Sequence, residues 1–173
     1  SIIFCDLQGF TTTVEKLGDD LDLLKEHLEQ AMDVVVEVHI QKDLIVDKFI
    51  GDAIMSFRGG NLVDGTPTDH AYRVVRASIE SIQAFQSLGD PYFKTLRIGG
   101  SSSERALIGT FGTSHRLSYT ILGDRVNLAA TLSQRPLFVS QNGSYAGFHH
   151  FLRSARVYDD RRKTRRRFGS LKG

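Results

Sequence analysis

The chain has one cysteine, Cys5, among 173 residues, and that scarcity excludes an internal disulfide. A reducing, cytoplasmic setting is therefore the natural expectation. No apolar stretch approaches the roughly 20 residues that a bilayer-spanning helix needs, and no secretory leader is recognisable, so no membrane contact by this segment is expected. Charge of one sign is not in excess. The 22 Lys and Arg against 20 Asp and Glu leave +2, too little to predict a nucleic-acid partner for the chain as a whole. The phosphate-binding string Gly-x-x-x-x-Gly-Lys is absent, which removes P-loop nucleotide binding. The six histidines show no metal-ligand spacing, and there is no internal repeat.

What is present is ordinary for a globular protein: 40% apolar and 24% charged residues, over the length of a single domain, 1–173. Ser1 already lies at the start of a strand-like run, so the sequence reads as a segment of something longer, with any membrane or sensor part outside it. Cys5 sits inside that run as a small buried hydrophobe. Arg161 to Arg167 gathers six basic residues in seven, read as a solvated loop or hairpin edge, with nucleotide phosphates or an acidic partner as the alternative.

Residues 1–6 form a short apolar run ending in Asp6, and Gly9-Phe10-Thr11 makes a turn into a helix start. From Asp20 to about Gln41, Leu21, Leu24, Leu28, Met32, Val35 and Val36 recur at spacings of three and four, which predicts a long amphipathic helix. Gly51-Asp52 breaks an apolar stretch into strands at 44–50 and 53–57, the two-residue signal of a hairpin. A second amphipathic helix is expected over 68–88 with Thr68 as its N-cap. Strands follow at 96–99, 106–109 and 117–121, then a short helix at 124–132. The tail, with segments at 137–140, 148–152 and 156–158, reads as strand-rich. This order predicts an α+β fold, a sheet with helices packed on one face.

Asp6 ends one strand and Asp52 sits at the tip of the next hairpin, so a sheet placing those strands together would bring both carboxylates to one edge. Two hard oxygen ligands on rigid backbone suit Mg²⁺ or Mn²⁺, which are held by one or two carboxylates plus substrate phosphates. Gly9 allows backbone N–H groups to approach an anion at a helix start, where the dipole favours negative charge. Taken singly, Asp52 also reads as a turn residue and Asp6 as a helix-capping acid.

Three longer strings narrow this. Phe4-Cys5-Asp6-Leu7-Gln8-Gly9-Phe10-Thr11, Asp47-Lys48-Phe49-Ile50-Gly51-Asp52-Ala53-Ile54-Met55, and the run from Leu117 to Ala130 that contains Gly123-Asp124-Arg125-Val126-Asn127 resemble, in order, three signature segments of class III adenylyl and guanylyl cyclases. The resemblance covers roughly residues 1–133. It implies a ferredoxin-like, polymerase-palm-related fold working as a head-to-tail dimer, either a homodimer or a pairing with a related cyclase domain. It also implies conversion of ATP or GTP to the 3′,5′-cyclic monophosphate and pyrophosphate. By the same resemblance Asp6 and Asp52 bind two Mg²⁺ or Mn²⁺ ions, and the backbone of Leu7, Gln8, Gly9 and Phe10 with Thr11 cradles phosphate. Lys48 contacts the adenine ring, Thr120 supports the purine edge as in bacterial members with Thr or Ser there, and Asn127 orients the ribose. Lys48 and Thr120 together resemble the ATP-selecting pattern. Lys48 and Asp52 would serve different active sites, each completed by the partner subunit.

The pattern also departs from the family. Active members carry an arginine four residues after the asparagine, to hold transition-state charge on the α-phosphoryl group, and Thr131 stands there. Arg125 and Arg135 are nearby cations. Residues 100–105 form a loop one residue longer than the family usually has, although Arg105 falls where some members bind phosphate. Leu171-Lys172-Gly173 resembles a late strand whose lysine binds triphosphate, which makes Lys172 a candidate. An adenylate cyclase catalytic domain is the leading expectation. A degenerate domain that binds nucleotide and regulates a partner is the alternative, and retention of Asp6, Asp52 and Lys48 speaks against a third reading, a nucleotide-independent dimerisation module.

Overall fold

Six buried residues in succession, Ile2–Leu7, form the central strand β1. They belong to a computed structural model that describes residues 1–60, 63–103 and 105–134. The tail segments, Arg135, the basic run and Lys172 lie outside the described residues. After β1 come α1 (Phe10–Leu17), α2 (Leu21–Gln41), β2 (Ile45–Ile50), β3 (Ala53–Phe57), α3 (Pro67–Leu88), β4 (Leu96–Ser101), β5 (Leu107–Thr113), β6 (Arg116–Leu122) and α4 (Asp124–Ser133).

The main sheet has the order β2-β3-β1-β4, with every neighbouring pair antiparallel. With α2 crossing from β1 to β2 and α3 from β3 to β4, this is the ferredoxin-like βαββαβ path. β5 and β6 form a separate two-stranded ladder. The apolar run Ile2–Cys5 of β1 reflects cover on both faces. Ile3, Cys5 and Leu7 pack with Ile54 and Ile98 against Ala31 and Val35 of α2 and Val74, Ile82 and Phe85 of α3. Ile2 and Phe4 point the other way, with Met55 and Phe57, onto Ile121 and Ala129.

Two expectations are corrected here. Helices do not occupy one face alone, because α4 closes the face opposite α2 and α3. The cap of α3 is Thr66, not Thr68: Thr66 accepts the Asp69 N–H while the Asp69 carboxylate accepts the Thr66 N–H, and Pro67 follows at N1, where its missing donor costs nothing.

α4 can come this close because β4 presents Gly99 to it. A Cβ at Gly99 would lie 2.2 Å from the Ala129 carbonyl oxygen and 2.3 Å from the Ser133 nitrogen, both backbone atoms that cannot swing aside. Gly99→Ala is therefore expected to destabilise the chain by about 2 kcal/mol or more through overpacking, read as a lower urea midpoint. An unchanged midpoint would mean that α4 is not seated on β4 in solution.

Candidate active site

At one end of the sheet the elements converge on a pair of carboxylates. Asp6 lies opposite Ala53 in the β1–β3 ladder, so Asp52, the residue before Ala53, reaches the same end of the strand. The hairpin needs only two residues to turn, because Gly51 takes φ 62 at the first central position, as a type II′ turn requires. The Asp52 carboxyl lies near enough to Asp6 for the two acids to interact. Its pKa is pushed up to about 6, first by burial and then by the hydrogen bond and charge of Asp6. The two acids therefore converge as the sequence predicts.

A third charged group belongs to this cluster and was not anticipated. Arg97 lies directly opposite Asp6 in the β1–β4 ladder, and its guanidinium donates to the Asp6 carboxylate at 2.5 Å. An arginine alternating with Leu96 and Ile98 reads from sequence as the solvent side of a strand; only the register reveals that this side faces an acid.

Next to the acids, Gly9 takes φ 82 as the N-cap of α1, and no side chain caps that helix end. Of the backbone predicted to cradle phosphate, the N–H of Gln8 is already given to the Thr95 carbonyl. At the helix start the amides of Gly9, Phe10 and Thr11 are open to an anion, with Thr12 added, because the first amides of a helix have no internal partner.

The second cluster lies further down β2. Lys48 pairs across the ladder with Met55, and its side chain is half-exposed. The ladder slips between Val46 and Lys48, leaving Asp47 as the extra residue of a bulge. One extra residue reverses which face every later side chain meets. Without it Lys48 would share the α2 and α3 face; with it Lys48 shares the face of Met55, on which β6 also lies. There the buried Thr120 hydroxyl donates to the Asp47 carboxylate at 2.5 Å, and the Lys48 ammonium stands 3.6 Å from the other Asp47 oxygen. The structure thus brings Lys48 and Thr120 together and adds Asp47 between them. The only trace of Asp47 in the sequence is a pair of adjacent charges that interrupts strand alternation.

The remaining candidates are more dispersed. Asn127 and Thr131 are exposed on α4, one turn apart, and the Thr131 hydroxyl donates to the Asn127 carbonyl at 2.9 Å. Arg125 is half-exposed with Nε 3.8 Å from Asp124. Arg105 is exposed in the loop before β5, where its backbone N–H is taken by Ser103 Oγ.

Among the described residues, no cluster of three or more His, Cys, Asp or Glu side chains could hold a metal by itself. The pair Asp6 and Asp52 nevertheless fits Mg²⁺ or Mn²⁺, whose remaining positions are characteristically filled by water and substrate phosphate. The upward push on the Asp52 acid comes first from its burial and then from the neighbouring Asp6, and a bound cation would offset both. Among the same residues no helix is long and apolar enough to cross a membrane.

No protein-family profile matches the chain. Over 139 residues it is 32% identical to the terminal-differentiation-specific adenylate cyclase of Dictyostelium discoideum, which spans 78% of this chain but 6% of that protein. Among solved structures, the adenylyl cyclase CyaB from P. aeruginosa superposes with a TM-score of 0.67 at 26% identity, covering 76% of this chain and 69% of that one. The guanylyl cyclase Cya2 superposes with a TM-score of 0.64, also at 26% identity, covering 76% and 67%.

Proposed function

We propose, for a chain that belongs to the class III adenylyl/guanylyl cyclase family, that it is an adenylate cyclase domain converting ATP to 3′,5′-cyclic AMP and pyrophosphate at a dimer interface. The observation that carries this reading is the convergence of Asp6 and Asp52 beside the uncapped start of α1. When bound there, two Mg²⁺ or Mn²⁺ ions would acidify the ribose 3′-hydroxyl and neutralise charge on the triphosphate. The chain's own work is positioning. Asp6 and Asp52 hold the cations, Arg97 fixes the Asp6 carboxylate, and the amides of Gly9 to Thr12 receive phosphate oxygens. Such placement accounts for most of phosphoryl-transfer catalysis.

Lys48 and Thr120 read the base, and Asn127 orients the ribose. ATP is preferred because Lys48 offers a donor to adenine N1, which is an acceptor, whereas guanine carries a hydrogen at that position. CyaB and Cya2 are equally identical to this chain at 26%, so base choice rests on these two side chains rather than on kinship.

A second copy, or a related domain, completes each site. Phe49 and Ile50 at the tip of β2, Leu107 and Leu117 on the β5–β6 hairpin, and Leu122 are all large, apolar and exposed. Exposed apolar side chains of this size are what a partner surface would cover. Purified chain with ATP and Mn²⁺ is expected to form cyclic AMP at a specific rate that rises with protein concentration as dimers assemble. Absence of both product and nucleotide binding at high concentration would end this reading.

A second reading is favoured by one observation: Thr131 spends its hydroxyl on the Asn127 carbonyl and offers no charge. In that case the domain binds nucleotide and regulates a partner. Calorimetry showing ATP binding without turnover would select it.

A further inference from the structure

Asp47 is the one residue of β2 without a place in the β2–β3 ladder, and it has a chemical position of its own. Its carboxylate side chain is 1% exposed. One oxygen accepts the Thr120 hydroxyl proton; the other is buried with no hydrogen-bond partner and faces the Lys48 ammonium at 3.6 Å. Burying an acid with a free acceptor is costly, and Asp47 completes no strand pairing in return.

Its effect on Thr120 is decisive. A hydroxyl has one proton and two lone pairs, and an ionised carboxylate only accepts. With its proton given to Asp47, the Thr120 oxygen can only accept from a ligand. Lys48 can only donate. The two side chains therefore present a fixed donor and a fixed acceptor on one face of the sheet.

We propose that Asp47 is a positioning residue for nucleobase selection, which sets the hydrogen-bond polarity of Thr120 so that Thr120 and Lys48 together accept adenine and reject guanine. The proposal rests on the assignment of Lys48 and Thr120 to the base given above. Adenine presents an acceptor at N1 beside a donor, the 6-amino group, and meets Lys48 and Thr120 correctly at both. Guanine presents a donor at N1 beside the O6 acceptor and is mismatched at both. Were Thr120 free to rotate its proton outward, it could donate to O6 and half of the discrimination would vanish. Sites that leave polar groups unpaired with the wrong substrate discriminate far better than sites that rely on shape.

The test compares ATP with GTP on the parent chain and on Asp47→Asn, Thr120→Val, Thr120→Ser, Lys48→Ala and the double variant Asp47→Asn/Thr120→Val. Two readouts are used: kcat/KM for cyclic product, and displacement of a fluorescent ATP analogue by ATP or GTP, which needs no turnover. Asp47→Asn is near-isosteric, and its amide can donate as well as accept, which releases the Thr120 proton. It is expected to lower the ATP-to-GTP ratio at least about tenfold in both readouts, with thermal unfolding still cooperative. Thr120→Ser keeps the ratio, and the double variant falls no further than Thr120→Val, because Asp47 acts through Thr120. If Asp47→Asn does not fold, Asp47→Ser removes the fixed acceptor with less volume and carries the same expectation. A ratio unchanged in both Asp47 variants, or a double variant whose losses simply add, would overturn the role of Asp47. A ratio unchanged in Lys48→Ala and Thr120→Val would instead overturn the base assignment itself.

Discussion

Asp52→Asn is expected to lower cyclic AMP formation at least about 10³-fold, a loss of about 4 kcal/mol of transition-state stabilisation, while making the metal-free chain more stable at neutral pH. The two halves of this expectation have one cause. Asp52 and Asp6 are held together by the β1–β3 register and a two-residue turn, a geometry that suits bridging cations and penalises a charged, partly buried Asp52 beside Asp6. The amide keeps the shape of the turn and removes one ligand charge. A residue serving only as a turn-former would show neither effect.

The pH dependence follows from the acid's displacement to about 6 against 3.8 for the free side chain. With the folded value above the unfolded one, the favourable contribution is fully present below about pH 3.8 and is lost as pH rises through about 6. Parent chain in EDTA should therefore lose thermal stability between pH 5 and pH 7.5 through this group, and Asp52→Asn should lose less. On the proposed reading Mn²⁺ binds the ionised pair, so it should raise the parent's melting temperature more at pH 7.5 than at pH 5 and have little effect on the variant. Parallel pH profiles for the two proteins, with or without Mn²⁺, would show that Asp52 is not the titrating metal ligand.

The route of the chain was legible because its signals are local and repeated. The apolar spacing of α2 and α3, the Gly51-Asp52 turn and the strand that ends in Asp6 each follow from side-chain period or turn chemistry, and together they dictate βαββαβ. What was hidden depends on register, which no local pattern encodes. Arg97 is unremarkable until β4 is laid beside β1, where it meets Asp6. Gly99 looks like any strand glycine until α4 is seated on it. The bulge at Asp47 is a single extra residue, yet it decides which face Lys48 serves. The cap of α3 was misplaced by two residues because Thr66 and Thr68 are equivalent as cap formers, and Pro67, which favours the first helical position, points to Thr66.

The exposed apolar residues bear on the site as well as on assembly. Phe49 and Ile50 immediately precede the Gly51-Asp52 turn, so any surface that covers them also approaches the carboxylates. Lys48, on the same hairpin, is separated from that turn by about 7–10 Å of strand at roughly 3.3 Å per residue. In the proposed dimer, pairing one domain's Lys48 and Thr120 with its partner's carboxylates would use both ends of this hairpin without asking either to move.

Thr131→Arg is expected to raise kcat by about 10²- to 10³-fold, with KM for ATP changed less than about threefold. Arginines that stabilise transferring phosphoryl groups contribute roughly 10³ to 10⁵ in rate, and a residue four positions after Asn127 shares its side of α4. Thr131 is exposed, and among the described residues its hydroxyl is bonded only to the carbonyl of its own helix. Substitution there therefore sacrifices no packing, and the fold should tolerate it within about 0.5 kcal/mol. The gain should fall on kcat because charge on the α-phosphoryl group develops in the transition state, and a contact made only there leaves ground-state binding unaltered. Thr131→Lys separates geometry from charge: a point charge on a flexible stem cannot reproduce a planar two-pronged donor, so its gain should be smaller by tenfold or more. If neither variant gains and the parent already turns over ATP briskly, the charge is supplied from elsewhere and Thr131 is not the missing element. If the parent is inactive and Thr131→Arg restores product, the domain is a cyclase lacking one side chain.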